Sequence, residues 1–389
     1  MEKGVSNPST DPWQKLGLPR IINAAGKMTY LGSSAVVDDV AEAIIFGAQS
    51  YVDMAELKAA AGRRIVELIN VPAACVVSSA AAGIVQAVAA TITGTDQTLI
   101  EQVPHVNTLK RDVIIQKSHA VNFGAPITQM IGLGGGNPVE IGSSNRCSSH
   151  HLESALSETT ASVLFVVSHH VQAEDAISLV ETISLAHNRG VKVIVDAAAE
   201  TDLVKYVELG VDLVIYSGHK AIGGPTSGIV MGDPTLIAAC VAQETGAGRA
   251  MKVSKEAISG LLAALERYIS GEGIASGEEL VARLERVQSA AGEKLPATFE
   301  IVWDKTRPIP RLAVTILKGS PTSAREVVSQ LESADPSVRT RNHAVDEGLI
   351  GIDPRELTMN GAQYLGHLLR KVLTGENMAE ELGRMGQRQ

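Results

Sequence analysis

Five apolar runs dominate the first 230 residues: "AACVV", "DVIIQ", "SVLFVV", "KVIV" and "DLVIY". Each is a continuous, largely β-branched stretch rather than an alternation of apolar with polar residues. A strand of that kind is buried on both faces, so helices must cover the sheet above and below. Helical patterns do intervene, as in "AELKAAAGRRIVELIN", "AAAGIVQAVAATITG" and "EDAISLVETISLAHNRG". The chain is therefore expected to be α/β, with a mostly parallel central sheet.

Length permits a second body. In 389 residues, residues 1–16 read as a flexible polar tail, 17–250 as a large domain and 251–389 as a linking helix with a smaller α+β domain. The latter contains the strand patterns "EIVWDK" and "RLAVTILK" beside the helical "SAREVVSQLES" and "MNGAQYLGHLLRKVL". Three scattered cysteines, Cys75, Cys147 and Cys240, make no disulfide framework and read as packing residues in a reducing compartment. No apolar run reaches the roughly 20 residues that span a bilayer. The polar N-terminus lacks the pattern of a secretory signal. A cytoplasmic protein is expected. The net charge of −9 argues against a broad nucleic-acid surface, which needs clustered Lys and Arg.

In a parallel α/β sheet, ligands gather at the carboxyl ends of the strands. After "AACVV" come Ser78, Ser79, Ala80 and Ala81, opening a helix whose free N–H groups and dipole suit a phosphate; a tightly packed N-cap is the other reading. After "KVIV" comes Asp196, a carboxylate that burial would make costly unless it met a cation or N–H donor; a helix-capping aspartate is its bland alternative. After "DLVIY" comes "SGHK", whose Lys220 must desolvate at a strand end and so becomes a usable amine nucleophile, unless it is a solvated loop lysine. One chemistry asks for an amine, an acid and an anion cradle on one rim. Pyridoxal 5'-phosphate needs a lysine for its Schiff base, a carboxylate facing its pyridine nitrogen and donors for its phosphate.

"VDAAAE" followed by "YSGHKAIGGPTSGIV" resembles the fold-type-I pyridoxal-phosphate enzymes of the selenocysteine-synthase-like group. "INAAGKMTYLG" and "QSYVDMAELK" make the D-glucosaminate-6-phosphate ammonia-lyase family nearest, over nearly the whole chain from Gly17. The resemblance implies that Lys220 is the Schiff-base lysine and Asp196 the partner of the ring nitrogen. It implies that Ser79, Ala80, Ala81, Ser217 and His219 hold the phosphate, and that His119 stacks on the cofactor. A surface histidine is the alternative for His119. His170 and Gln172, or His169, fall where such enzymes contact the phenolic oxygen.

Arg249 and Arg355, with Lys27, are the candidates for an anionic substrate group, since a planar guanidinium suits a carboxylate or phosphate. Arg355 as a surface ion pair, with Arg311 or Arg341 in its place as substrate ligand, is the competing reading. Adjacent His150-His151 and His169-His170 offer at most one ligand each to a common ion, so no metal site is expected. The implied activity is Cα deprotonation and β-elimination of an amino acid to a 2-keto acid and ammonia, possible substrates including D-glucosaminate 6-phosphate, in a homodimer or higher homo-oligomer. β-Replacement on seryl-tRNA, racemisation, aldol cleavage, and a cofactor-binding regulator without turnover are the alternatives.

Overall fold

The computed structural model describes residues 11–168, 171, 173, 175–303 and 309–376. Its strands in chain order are β1 (Ile21–Asn23), β2 (Ala74–Val77), β3 (Asp112–Gln116), β4 (Asn137–Ile141), β5 (Thr160–Val166), β6 (Lys192–Asp196), β7 (Leu213–Ser217), β8 (Gly228–Gly232), β9 (Ala297–Trp303), β10 (Pro310–Ile316), β11 (Ser337–Arg339) and β12 (Leu349–Ile352). They divide between two compact units, residues 34–273 and residues 1–33 with 274–389.

The larger unit holds a seven-stranded sheet in the order β2-β8-β7-β6-β5-β3-β4. Strands β3 to β7 run parallel, whereas β8 is antiparallel to both β2 and β7. Both faces are apolar, as the continuous runs demand. Val193, Val195, Val214 and Tyr216 join a core on one side, while Ile194, Leu213 and Ile215 join another on the opposite side. The Ala80–Thr93 helix is buried along nearly its whole length. At Gly83 a Cβ would lie 2.9 Å from Ile215 Cγ2, so the helix packs directly on β7. At the far end of the sheet, Asp212 bonds His187 Nε2 at 2.8 Å and accepts from Lys192 Nζ at 2.9 Å and Val193 N at 2.8 Å, tying β6 to β7.

In the smaller unit, β10 lies between β9 and β12 in an antiparallel sheet, and β1 pairs in parallel with β11. The Gly277–Ala291, Ala324–Glu332 and Met359–Thr374 helices complete a core that includes Ile22, Leu284, Leu312, Val338, Ile350 and Leu369. Strand β10 alternates buried with half-buried residues, the signature of a sheet covered on one face.

These divisions correct the sequence boundaries of 17–250 and 251–389 in two places. Residues 17–33 belong to the smaller unit, because β1 finds its hydrogen-bonding partner in β11. The Lys255–Ser270 helix belongs to the larger one. Gly260 abuts Ile44, Gly47 abuts Ser259, and Lys255 Nζ donates to the Ala48 carbonyl at 2.7 Å, capping the Asp38–Gln49 helix. Glycines at both faces of the crossing let the two helix backbones approach closely.

Strand β8 was hidden in the sequence inside a glycine-rich turn. Its first residue touches the turn after β2: a Cβ on Gly228 would stand 2.8 Å from Ser79 C and 3.0 Å from Ala80 N. These neighbours are backbone atoms, with no flexible side chain among them to yield. Gly228→Ala is therefore expected to destabilise the fold by about 1–3 kcal/mol, read as a lowered urea midpoint.

Candidate active site

The carboxyl ends of β2, β3, β6 and β7, and the start of β8, share one rim of the larger sheet. Ser217 pairs with Gly228, and Gly228 pairs with Val77, so the end of β7 and the Ser79 turn are set by one row of the ladder. Ser79 caps the Ala80–Thr93 helix, its Oγ accepting from Ala82 N at 3.1 Å. The first-turn N–H groups of Ala80 and Ala81, which no helix satisfies internally, point out of that terminus. The Ser217 Oγ is buried and has no hydrogen-bond partner among the described residues. A phosphate beside this turn would meet both sets of donors.

Asp196 ends β6, buried on the same rim, with its Oδ1 accepting from Ala198 N at 3.1 Å. Burial raises its pKa, opposed by that hydrogen bond and by the charge of Lys220. A buried carboxyl group in this state favours a cationic N–H neighbour, as a protonated pyridine would be. Lys220 stands three residues beyond β7 in a half-buried turn.

His119 follows β3 and is only 2% exposed. Its Nδ1 accepts from Val166 N at 3.1 Å, which places the proton of the neutral ring on Nε2. Phe165 meets the ring edge-on with centroids 4.4 Å apart. Burial pushes its pKa down to about 4. It is thus a fixed, uncharged ring and not a surface histidine.

The structure brings together Ser79, Ala80, Ala81, His119, Asp196, Ser217, His219 and Lys220 within the larger unit. His169, His170 and Gln172 lie outside the described residues. Arg249 is exposed in the short Ala247–Met251 turn, and its side chain makes no hydrogen bond or ion pair among the described residues.

Lys27 and Arg355 belong to the smaller unit. There Arg355 grips the fully buried Asp353 through both oxygens, at 2.9 and 2.8 Å, while Arg311 and Arg341 approach the same carboxylate at 3.5 and 3.9 Å. Burial raises the Asp353 pKa, but Arg355, with the charge of Arg311, holds it below the usual range. Lys27 lies 3.7 Å from Glu356, and desolvation lowers its pKa. Arg355 is thus ion-paired, with a buried carboxylate and not at the surface. Asp353, which collects all three guanidinium groups, went unnoticed in the sequence, although its place two residues before Arg355 in "GIDPREL" was the available signal.

Among the described residues no cluster of three or more His, Cys, Asp or Glu is arranged to hold a metal ion, and no helix is long and apolar enough to cross a membrane. The three cysteines are buried and unpaired.

Comparison with known proteins identifies the family. The L-seryl-tRNA selenium transferase (SelA) model matches residues 21–295. The chain belongs to the SelA family. It is 36% identical to the D-glucosaminate-6-phosphate ammonia lyase of Salmonella typhimurium over 362 residues, covering 92% of this chain and 97% of that one. A solved structure of D-glucosaminate-6-phosphate ammonia-lyase superposes with a TM-score of 0.88 at 36% identity, over 94% of this chain and 99% of the other. A 5'-C-glycyluridine monooxygenase-decarboxylase from a Streptomyces species is 35% identical, with 94% and 92% of the two chains covered. The L-seryl-tRNA(Sec) selenium transferase of Desulfotalea psychrophila is more remote, at 28% identity over 66% of this chain and 57% of its own length. The serine palmitoyltransferase of Sphingomonas wittichii, 13% identical with a TM-score of 0.54 over 91% of this chain and 87% of that one, shares the fold. That fold is the fold-type-I architecture of pyridoxal-phosphate enzymes, and the donor set on the rim fits that cofactor.

The depressed pKa of His119 carries a measurable sign. Below about pH 6.5 the unfolded chain protonates this side chain while the folded apoprotein does not until about pH 4. The stabilisation is therefore complete above pH 6.5 and is lost as pH falls through that window, by up to about 3 kcal/mol. Urea unfolding of the apoprotein from pH 7 to pH 4.5 should show this extra loss in wild type and not in His119→Gln.

Proposed function

We propose that the chain is a pyridoxal-phosphate-dependent ammonia-lyase that deprotonates an amino acid at Cα and eliminates a β-hydroxyl, with D-glucosaminate 6-phosphate as substrate. The full-length likeness to a lyase of that name, at 36% identity and a TM-score of 0.88, is the observation that carries this reading.

Bound pyridoxal phosphate supplies the electron sink that acidifies the substrate Cα–H. Lys220 would hold the cofactor, and its free Nζ would serve as the base for the Cα proton. Asp196 would accept the N–H of the pyridine ring and keep that nitrogen protonated, a duty for which a buried carboxylate with few other donors is suited. The N–H groups of Ala80 and Ala81, with Ser79, Ser217 and His219, hold the phosphate. His119, uncharged, would stack on the cofactor without adding a positive charge beside the protonated nitrogen. Loss of the hydroxyl as water, then hydrolysis of the released enamine, yields a 2-keto acid and ammonia. His170 and Gln172 are retained as partners of the phenolic oxygen, and Arg249, Arg355 and Lys27 as substrate ligands. A homo-oligomeric, cytoplasmic enzyme completes the proposal.

The Streptomyces relative, almost equally similar, favours oxidative decarboxylation as the second reading. Ammonia and 2-keto-acid release under nitrogen supports the lyase; turnover that requires O₂ and releases CO₂ refutes it. β-Replacement on seryl-tRNA is disfavoured by the net charge of −9.

Replacing Lys220 with Ala should remove the visible absorption band of the lysine-bound cofactor and lower kcat by about 10²–10⁴-fold. Asp196→Asn should keep the band yet lose about 10²–10³-fold in kcat. An intact band with intact activity in Lys220→Ala overturns the assignment.

A further inference from the structure

The loop bearing Lys220 leaves the sheet at Ser217 and returns at Gly228, residues paired across β7 and β8. Its base is tied by Gly218 N–H to the Ser227 carbonyl at 2.8 Å, and Gly224 N–H turns back to the Gly218 carbonyl at 2.8 Å. Ser227 Oγ donates to the Pro225 carbonyl at 2.8 Å. A Cβ on Gly218 would overlap Ser227 Oγ, so stem and returning arm are packed without slack. Lys220 sits on the outgoing arm, between Gly218 and Gly224, in a stretch that forms neither helix nor strand.

A tether reaches that arm from a distant part of the chain. Ser34 Oγ donates to the His219 carbonyl at 2.8 Å, across 185 positions of sequence. The carbonyl belongs to the peptide that joins His219 to Lys220, so a donor on it fixes the plane from which the lysine departs. The approach to Ser34 is itself strained. Gly32 at φ 81° is followed by Ser33 at φ 65°, a left-handed conformation that costs a side-chain-bearing residue energy and persists only where the surroundings demand it. Ser34 follows these two residues directly and opens the larger unit.

We propose that Ser34 is a positioning residue for Lys220, acting through the His219 carbonyl. The proposal rests on the reading of Lys220 as the cofactor-bearing lysine. An amine held in one place reacts with an aldehyde at a higher effective concentration than one on a freely moving arm. The hydroxyl of Ser34 therefore contributes to cofactor capture as well as to turnover.

The test is titration of the full-chain apoprotein with pyridoxal phosphate, read by the visible band, for wild type, Ser34→Ala and Ser34→Thr. Loss of one hydrogen bond predicts an apparent Kd about five-fold weaker in Ser34→Ala, with restoration in Ser34→Thr and an apoprotein Tm close to wild type in both. Loading of Ser34→Ala at wild-type concentrations overturns the proposal. So does equal weakening in Ser34→Thr accompanied by a lowered apoprotein Tm, which marks a packing role. Lys220→Ala separates the two readings: if it keeps the visible band, the function assigned to Lys220 fails; if only that variant loses the band, Lys220 stands and Ser34 does not.

Discussion

Asp196 sets the terms for the larger unit. A carboxyl group at the end of a strand covered on both faces is costly to keep ionised, and one backbone N–H from Ala198 compensates only part of that cost. The strand cannot tilt the group toward water, because β5 and β7 hold β6 in register on either side. Lys220 contributes the opposing charge, and it reaches the rim only because β7 ends beside β6. An acid and an amine held so, with donors for an anion next to them, are the requirements of the cofactor chemistry.

Geometry at the phosphate turn depends on a strand that runs the other way. Because β8 is antiparallel, its first residue, not its last, lies on the rim. Gly228 then fits between Ser217 and the Ser79 turn, where any side chain would meet backbone. The same glycine closes the Lys220 loop. One position therefore couples the cradle for the anion to the arm that carries the amine.

Much of this was legible in the residues. Continuous β-branched runs announced strands buried on both faces, and the two cores on opposite sides of the sheet follow from that pattern. Asp196 and Lys220 stood out because charges rarely end such runs. Strand β8 escaped notice because "GIVMG" is short and begins with the glycine that also ends a turn. Amphipathic periodicity in helix 255–270 reveals an apolar face but not the surface that receives it, so its place in the larger unit is not legible in the residues. Asp353 has one partner close by, Arg355 two positions on, but Arg311 and Arg341 come from other segments, and Ser34 meets His219 across 185 positions, pairings that composition and spacing do not show.

Pairing of Ile21 with Ser337 makes the smaller unit the meeting of an early and a late segment of the chain. During synthesis, the sequence of the larger unit is complete once Gly273 is made, whereas β1 must wait for β11. The early part of the smaller unit is thus an orphan strand for most of translation, with Ile22 destined for a core that does not yet exist. Domains fold as units when their sequence is complete. The topology accordingly lets the rim bearing Asp196 and Lys220 form while the body holding Lys27 and Arg355 is still incomplete.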